Sequence, residues 1–439
     1  MRQRRPRTET GQDCPVIAET PETAPHFFGF HDVSPWNPAD DRLAVLRVEG
    51  DVQGLPGGSD LAELCLWRPG DGAIEPIGAT SAWNWQQGAR AQWLPAGNRL
   101  LYNTLTDGRV GAVLHDADSG SDRRLPGPVG ALSPDGTFSI APDYGRLARY
   151  WPAYGYGGSA APASIDEKAP ADDGLWRINL GSGEMKLLIS IRDAVAVGSA
   201  SPPDAGHFLS HAAFSPSGRR LAFLHRYFTI DGGFYTRMLV AAADGADPRI
   251  VAEEKVSHFD WFDDDQIAVW TRPGGGRLAA ARRSGLLANP LLRPMVRAAR
   301  KLKPGLKQAM LGEFYFLIPV DDPKSRRPIG QGQLEQDGHP MFSGDRRWML
   351  TDTYADGEDM QTLILYDMEA GARIDIGRFR HDPGSDDSDL KCDLHPRWNR
   401  AGTQVCIDAA RHGTRQCLIL NVAPVTGAAA LDAAPRVAA

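Results

Sequence analysis

Seven times along the chain an apolar residue precedes a short turn built on Pro, Gly or Asp, and a β-rich run follows. The segments are DVSPWNPADDRLAVL at Trp36, RAQWLPAGNRLLYN at Trp93, VGALSPDGTFSI at Leu132 and HAAFSPSGRRLAFL at Phe214. HFDWFDDDQIAVW at Trp261, HPMFSGDRRWMLT at Phe342 and HPRWNRAGTQVCI at Trp398 complete the series. Each reads as a strand, a hairpin turn and a second strand. Third strands follow in LCLW, GLWRINL, RMLVAA and TLILY, ending in turns such as GSGE and ADGAD. Four antiparallel strands per repeat and seven repeats predict an all-β chain, a seven-bladed β-propeller. A pair of β-sandwiches would not repeat one motif in register.

The anchors are unevenly spaced, so blades three and five carry insertions. The first, at about residues 143–173, is rich in Gly, Tyr and Pro. The second, at about residues 284–312, has apolar residues at roughly helical spacing broken by Pro290, Pro294 and Pro304, and predicts a helical, basic insertion. The propeller spans residues 26–425 and leaves a flexible tail over 426–439. Blade seven has room for three strands, so residues 16–20 of the N-terminal segment 1–25 are expected to supply the fourth.

Composition narrows the class. Hydrophobic residues make up 42% and charged residues 23%, ordinary values for a globular protein, and the net charge of −7 argues against a general nucleic-acid binder. Five cysteines give no disulfide framework. No apolar stretch reaches the length of a membrane helix, and no apolar core follows the basic N-terminus, so a cytoplasmic location is expected. Between Gln266 and Gly312 there are ten Arg or Lys and no acidic residue. This segment could attract an anionic polymer, touch a membrane surface peripherally or form a dimer contact.

The repeat also locates candidate chemistry. Three residues before each anchor stand Val33, Arg90, Val129, His211, His258, His339 and His395. Four of seven are histidine, from only 11 in the chain, and His31 lies on the same strand face as Val33. In a propeller these positions converge on one mouth of the central channel. The loops of that face add His225 and Arg226 beside His211, Asp352 and Tyr354 beside His339, and His412, Cys392 and Asp393 near His395. The insertion PAYGYGG brings Tyr154 and Tyr156 over the mouth.

Histidine serves as base, acid or metal ligand near neutrality, and arginine grips a carboxylate. That set suits β-elimination on a uronic-acid sugar, where neutralising the carboxylate stabilises the intermediate formed when a base takes the C5 proton. His211, Arg226, Tyr156, His258 and His31 are the catalytic candidates. Arg90, Trp36, Tyr354 and Arg149 are the candidates for substrate binding. His339, His395, Cys392 and His412 could hold a divalent ion such as Zn, Mn or Ca. The acidic loop at residues 382–389 reads as solvated surface. No GxSxG elbow, P-loop or dinucleotide fingerprint is present, so no nucleotide cofactor is expected.

The phrases FGFHDVSPW, SHAAFSPSGRRLAFLHR, VSHFDW, GHPMFSGDRRWMLTDTY and CDLHPRWNRAGTQVCIDAARHG together resemble the propeller polysaccharide lyases, namely the oligogalacturonate lyases and the seven-bladed ulvan lyases. The resemblance implies cleavage of an anionic oligo- or polysaccharide by His, Tyr and Arg at the channel mouth, often with a divalent metal. It points to His211, Arg226, His339 and His395, with Tyr156 as the tyrosine and Tyr354 behind it. The chain departs from the oligogalacturonate lyase pattern in lacking a paired HxH metal motif. Ser210 before His211 excludes a proton-shuttling tyrosine there. A glycan- or protein-binding propeller without catalysis, and a metal-assisted glycan hydrolase, are the alternative readings.

Overall fold

The structure is a computed structural model that describes residues 9–10, 14–50, 52, 54–198, 205–228, 234–272, 312–381, 390 and 392–428. The expected helical basic insertion, the acidic loop and most of the C-terminal tail lie outside these residues.

Six of the seven repeat motifs fold as the pattern requires; in the first, Trp36 makes only an isolated bridge to Leu43, and the inner strand is the earlier His26–Phe27. The inner strands end on the apolar anchors, as in Gln92–Trp93, Ala131–Leu132, Val256–Trp261 and Arg397–Trp398. The polar residues after the anchor close a tight turn. In two of these turns, Gly136 donates to the Ser133 carbonyl and Gly218 to the Ser215 carbonyl, each at 2.8 Å. Both glycines have positive φ, 70° and 77°, which a side chain disfavours. The chain then returns as a longer buried strand.

Sheet 1 contains His26–Phe27, Leu43–Val48, Ala62–Arg68 and Ala73–Thr80. Sheets 2 to 5 repeat the four-stranded antiparallel order and run to Leu125, Ser190, Glu254 and Ile329. The last sheet has nine strands among the described residues, in two groups joined by the single pairing of Arg380 with Ala410. Its outermost strand is Val16–Glu19, antiparallel to Thr414–Asn421. Thr20 extends this seam by donating its amide to the Cys417 carbonyl at 3.1 Å. The turns of the last and first sheets meet where the Arg400 and Ala401 amides donate to Asp40, at 2.9 and 2.8 Å.

The sheets are arranged as a β-propeller. Apolar residues packed between sheets form the core. Leu64, Trp83, Trp93 and Leu100 lie between sheets 1 and 2, while Leu224, Val240, Trp261 and Ile318 lie between sheets 4 and 5. Burying such side chains is worth roughly 1.5–3 kcal/mol each. All five cysteines are buried free thiols. No helix among the described residues is long and apolar enough to cross a membrane.

The third-sheet insertion starts as helix α1 (Tyr144–Tyr150), capped by Asp143, whose side chain accepts from the Arg146 amide at 2.8 Å. Arg146 is buried and locked to the Asp173 carboxylate, with a further bond to the Ser164 carbonyl at 2.7 Å. A single turn, Pro152–Tyr154, follows and packs Tyr154 against Phe30 and His211.

Candidate active site

The inner strands bring histidines from different sheets into contact. His258 and His339 have ring centroids 4.2 Å apart, and His339 and His395 are 4.5 Å apart. His31 packs against His258 at 5.1 Å and His339 at 5.3 Å. The side chains are aimed by strained backbone. Arg90, His211 and His395 have φ of 54°, 54° and 42°, in the left-handed region that non-glycine residues seldom occupy. At His211 the strain accompanies a register break between Ser210 and Ala213.

Three histidines of the cluster are oriented from behind, whereas both ring nitrogens of His31 are enclosed without a partner among the described residues. His339 Nδ1 bonds to both oxygens of Asp352 at 2.9 Å, and the same carboxylate accepts the His339 amide at 2.7 Å. His395 Nδ1 donates to the Gly29 carbonyl at 2.6 Å. His258 Nδ1 faces Asp337 at 3.1 Å. These contacts leave the Nε2 atoms for the channel. Burial pushes His339 and His395 down to about 3 and Asp352 up to about 7, favouring the uncharged form of each. Burial also opposes ionisation of Asp393. The hydrogen bond from His381 and the neighbouring His339 and His395 outweigh it and hold that carboxyl well below the usual range.

His339, Asp393 and His395 present ligand atoms within 4.8 Å of one another. Two neutral imidazoles and a carboxylate are a fitting donor set for a divalent ion, and His395 Nε2 has no protein partner among the described residues. Neither Cys392 nor His412 is in this group. Cys392 is buried, and its thiol is pushed up to about 12 by desolvation, so it stays protonated. His412 is about half exposed and faces Glu22 at 3.6 Å. Asp393 takes the place expected for them.

A second group lies across Phe30, whose ring is 5.1 Å from His211, 5.4 Å from His395 and 5.7 Å from Tyr154. Trp151 stacks on Tyr154 at 3.7 Å and on His211 at 5.8 Å. The Arg226 guanidinium lies 4.3 Å from the centre of the Trp151 ring. Arg226 is only 7% exposed, Nη1 is enclosed without a partner, and no carboxylate pairs with it among the described residues. Desolvation lowers it to about 10. Desolvation, then the charge of Arg226, pushes His211 well below its usual value.

The remaining candidates fall elsewhere. Arg90 grips a carboxylate of the protein itself, Asp32, at 2.6 and 3.0 Å. His225 points to the opposite face of its strand from Arg226 and bonds to His207 at 3.0 Å and Arg237 at 2.9 Å. Tyr156 is fully buried, stacked on Tyr144 at 4.4 Å, and accepts from Asn103 at 2.9 Å. Tyr154 instead stands at the mouth. Trp36 is 1% exposed among Phe28, Trp67 and Cys406 in the seam between the first and last sheets. Arg149 is exposed on the last turn of α1. Tyr354, 42% exposed, lies about equally near His258 and His339, at 6.2 and 6.1 Å. Trp151, Phe30, Asp337 and the buried Arg397, which donates to the Pro340 carbonyl at 3.3 Å, do not stand out from the repeat register. Arg397, two residues beyond His395, is the one that the same strand alternation could have revealed.

No known family model matches the sequence, and no curated protein matches it. Solved structures do match. An oligogalacturonate lyase in complex with manganese superposes with a TM-score of 0.63, covering 94% of this chain and 96% of that one, at 15% identity. The chain shares their fold. A second oligogalacturonate lyase, from Vibrio parahaemolyticus, matches with a TM-score of 0.58 over 95% of this chain and 96% of its own, at 12% identity. The shared fold therefore extends over nearly the whole chain.

Proposed function

We propose that this chain is a seven-bladed propeller lyase that cleaves uronic-acid-containing oligo- or polysaccharides by β-elimination. The observation that carries the reading is the buried Arg226, with no carboxylate partner among the described residues, beside an uncharged His211 and close to His339, Asp393 and His395. A buried cation without a counter-ion is costly, and a substrate carboxylate would offset that cost. Histidine held uncharged at neutral pH can accept the C5 proton.

In this reading Arg226 orients a uronate carboxylate. His211 removes the C5 proton, and Tyr154 or Tyr354 delivers a proton to the leaving O4. The half-buried rings of Trp151 and Tyr154 contact the sugar rings. His339, Asp393 and His395 would hold a divalent cation, which supplies neutralisation of carboxylate charge when bound. His31 and His258 border that group and keep its far side polar. The basic segment between Gln266 and Gly312 would speed encounter with an anionic polymer.

Incubation with a panel of uronate oligosaccharides tests the proposal. An unsaturated product absorbing in the ultraviolet is expected. Reducing ends without that absorbance would make the protein a hydrolase. Saturable binding with neither product would make it a binding propeller.

A further inference from the structure

Behind His211 lies a cavity of about 10 Å³, bordered by Arg90, Ser210 and His211 and walled by Ile140, Tyr144 and Leu147. Three enclosed polar atoms around it have no protein partner among the described residues: Arg90 Nε, Ser210 Oγ and His211 Nδ1. Ser210 is 1% exposed. The arrangement follows from the bulge. Adjacent strand residues normally face opposite sides, and the register break after Ser210 with φ of 54° at His211 puts both beside the cavity. Arg90 cannot move to find another partner, because Asp32 holds both terminal nitrogens and the Gly130 carbonyl accepts from Nη2 at 3.0 Å. Nε–H is what remains.

We infer that this cavity is a built site for a single water, which holds the His211 ring with its proton on Nδ1 and makes Ser210 and Arg90 positioning residues for the base. The inference rests on the elimination reading. A cavity of roughly 10–15 Å³ holds one water, and a buried water needs two to four polar partners. Size excludes a sugar. Arg90 Nε–H and His211 Nδ1–H fill the two lone pairs of the water, and the water donates to Ser210 Oγ. Nε2 then carries the lone pair toward the channel. Histidines that act as bases are set in this way by whatever the other ring nitrogen bonds.

Two readouts require no substrate. A high-resolution crystal structure is expected to show one ordered water within hydrogen-bond distance of all three atoms. Ring-nitrogen NMR of histidine-labelled protein, assigned with His211→Ala, is expected to show neutral His211 protonated at Nδ1. A dry cavity, or a proton on Nε2, overturns the inference even if the protein is a lyase. The isosteric pair Ser210→Thr and Ser210→Val tests the consequence. Thr keeps the hydroxyl and is expected to retain kcat. Val is expected to lower kcat by roughly tenfold or more at unchanged KM, and to shift the acid limb of the pH profile. Equal kcat in the two variants overturns the role of Ser210. If no substrate is eliminated by the wild type, the water and tautomer results still decide the inference, and the failure belongs to the lyase reading.

Discussion

His211 and Arg226 face one mouth from neighbouring strands of one sheet, yet they differ in what holds them. His211 is set by a strained backbone, whereas Arg226 rests on the Trp151 ring. Replacing His211 with Ala should lower elimination by roughly 10²- to 10⁴-fold, the usual worth of a general base, while circular dichroism shows an unchanged fold. Arg226→Met should behave differently. It should lose about 1.5–3 kcal/mol of carboxylate recognition, read from kcat/KM, without lowering the thermal midpoint, because the wild type buries a cation that no described carboxylate pairs with. A large loss of stability in Arg226→Met would mean that a partner neutralises it. Asp352 is buried behind His339 and holds its Nδ1. Asp352→Asn should weaken divalent-metal affinity by roughly 10- to 100-fold in a titration, leaving the ligand set itself intact.

At the scale of elements, the seam made by Val16–Glu19 joins the two ends of the chain. Removing residues 1–20 would expose the edge of Thr414–Asn421 and free the Thr20 bonds to Cys417 and Gln416. A lower thermal midpoint and concentration-dependent association in light scattering are expected, since an unpaired strand edge invites pairing with another chain. A second latch ties the same sheet to the first. Asp408 accepts from the Phe28 amide at 3.2 Å and so anchors the segment that carries Gly29, Phe30 and His31. Gly29 itself is required there, because its φ is 118° and a Cβ would sit 2.7 Å from the Gln87 carbonyl. The insertion after sheet 3 is likewise an element with a task, since the α1 anchor Arg146–Asp173 fixes the turn that presents Trp151 and Tyr154.

Across the whole molecule, the burial of histidine sets the pH response. His31, His211 and His225 are all pushed well below their ordinary value, chiefly by desolvation. A depressed folded-state value means that the unfolded chain binds more protons. Their contribution is therefore complete above the unfolded value near 6.5 and is lost as pH falls below it. Asp352 and Asp408, raised to about 7 by burial, act in the opposite sense and lose stability as pH rises from about 4 to 7. The histidines are more numerous, so the thermal midpoint should drop steadily from about pH 6.5 downward in buffered melts. A midpoint that rises on acidification would show that the carboxyls dominate.

The repeat was legible in the chain because a propeller strand needs the same local chemistry each time: an apolar anchor, a turn with a residue that tolerates positive φ, and an alternating return strand. Counting that period also put His258, His339 and His395 in register, and period alone suffices for this, since equivalent strand positions meet at the channel. What the period could not decide was direction and partnership. It could not turn His225 away from Arg226, bury Trp36 and Tyr156, or exchange Cys392 and His412 for Asp393. Those outcomes depend on which face of a strand is packed, on how a bulge at Ser210–Ala213 rotates the chain, and on contacts between residues hundreds of positions apart, such as His395 with Gly29. The sequence sets which residues each strand offers; only the closed ring of sheets selects which of them meet.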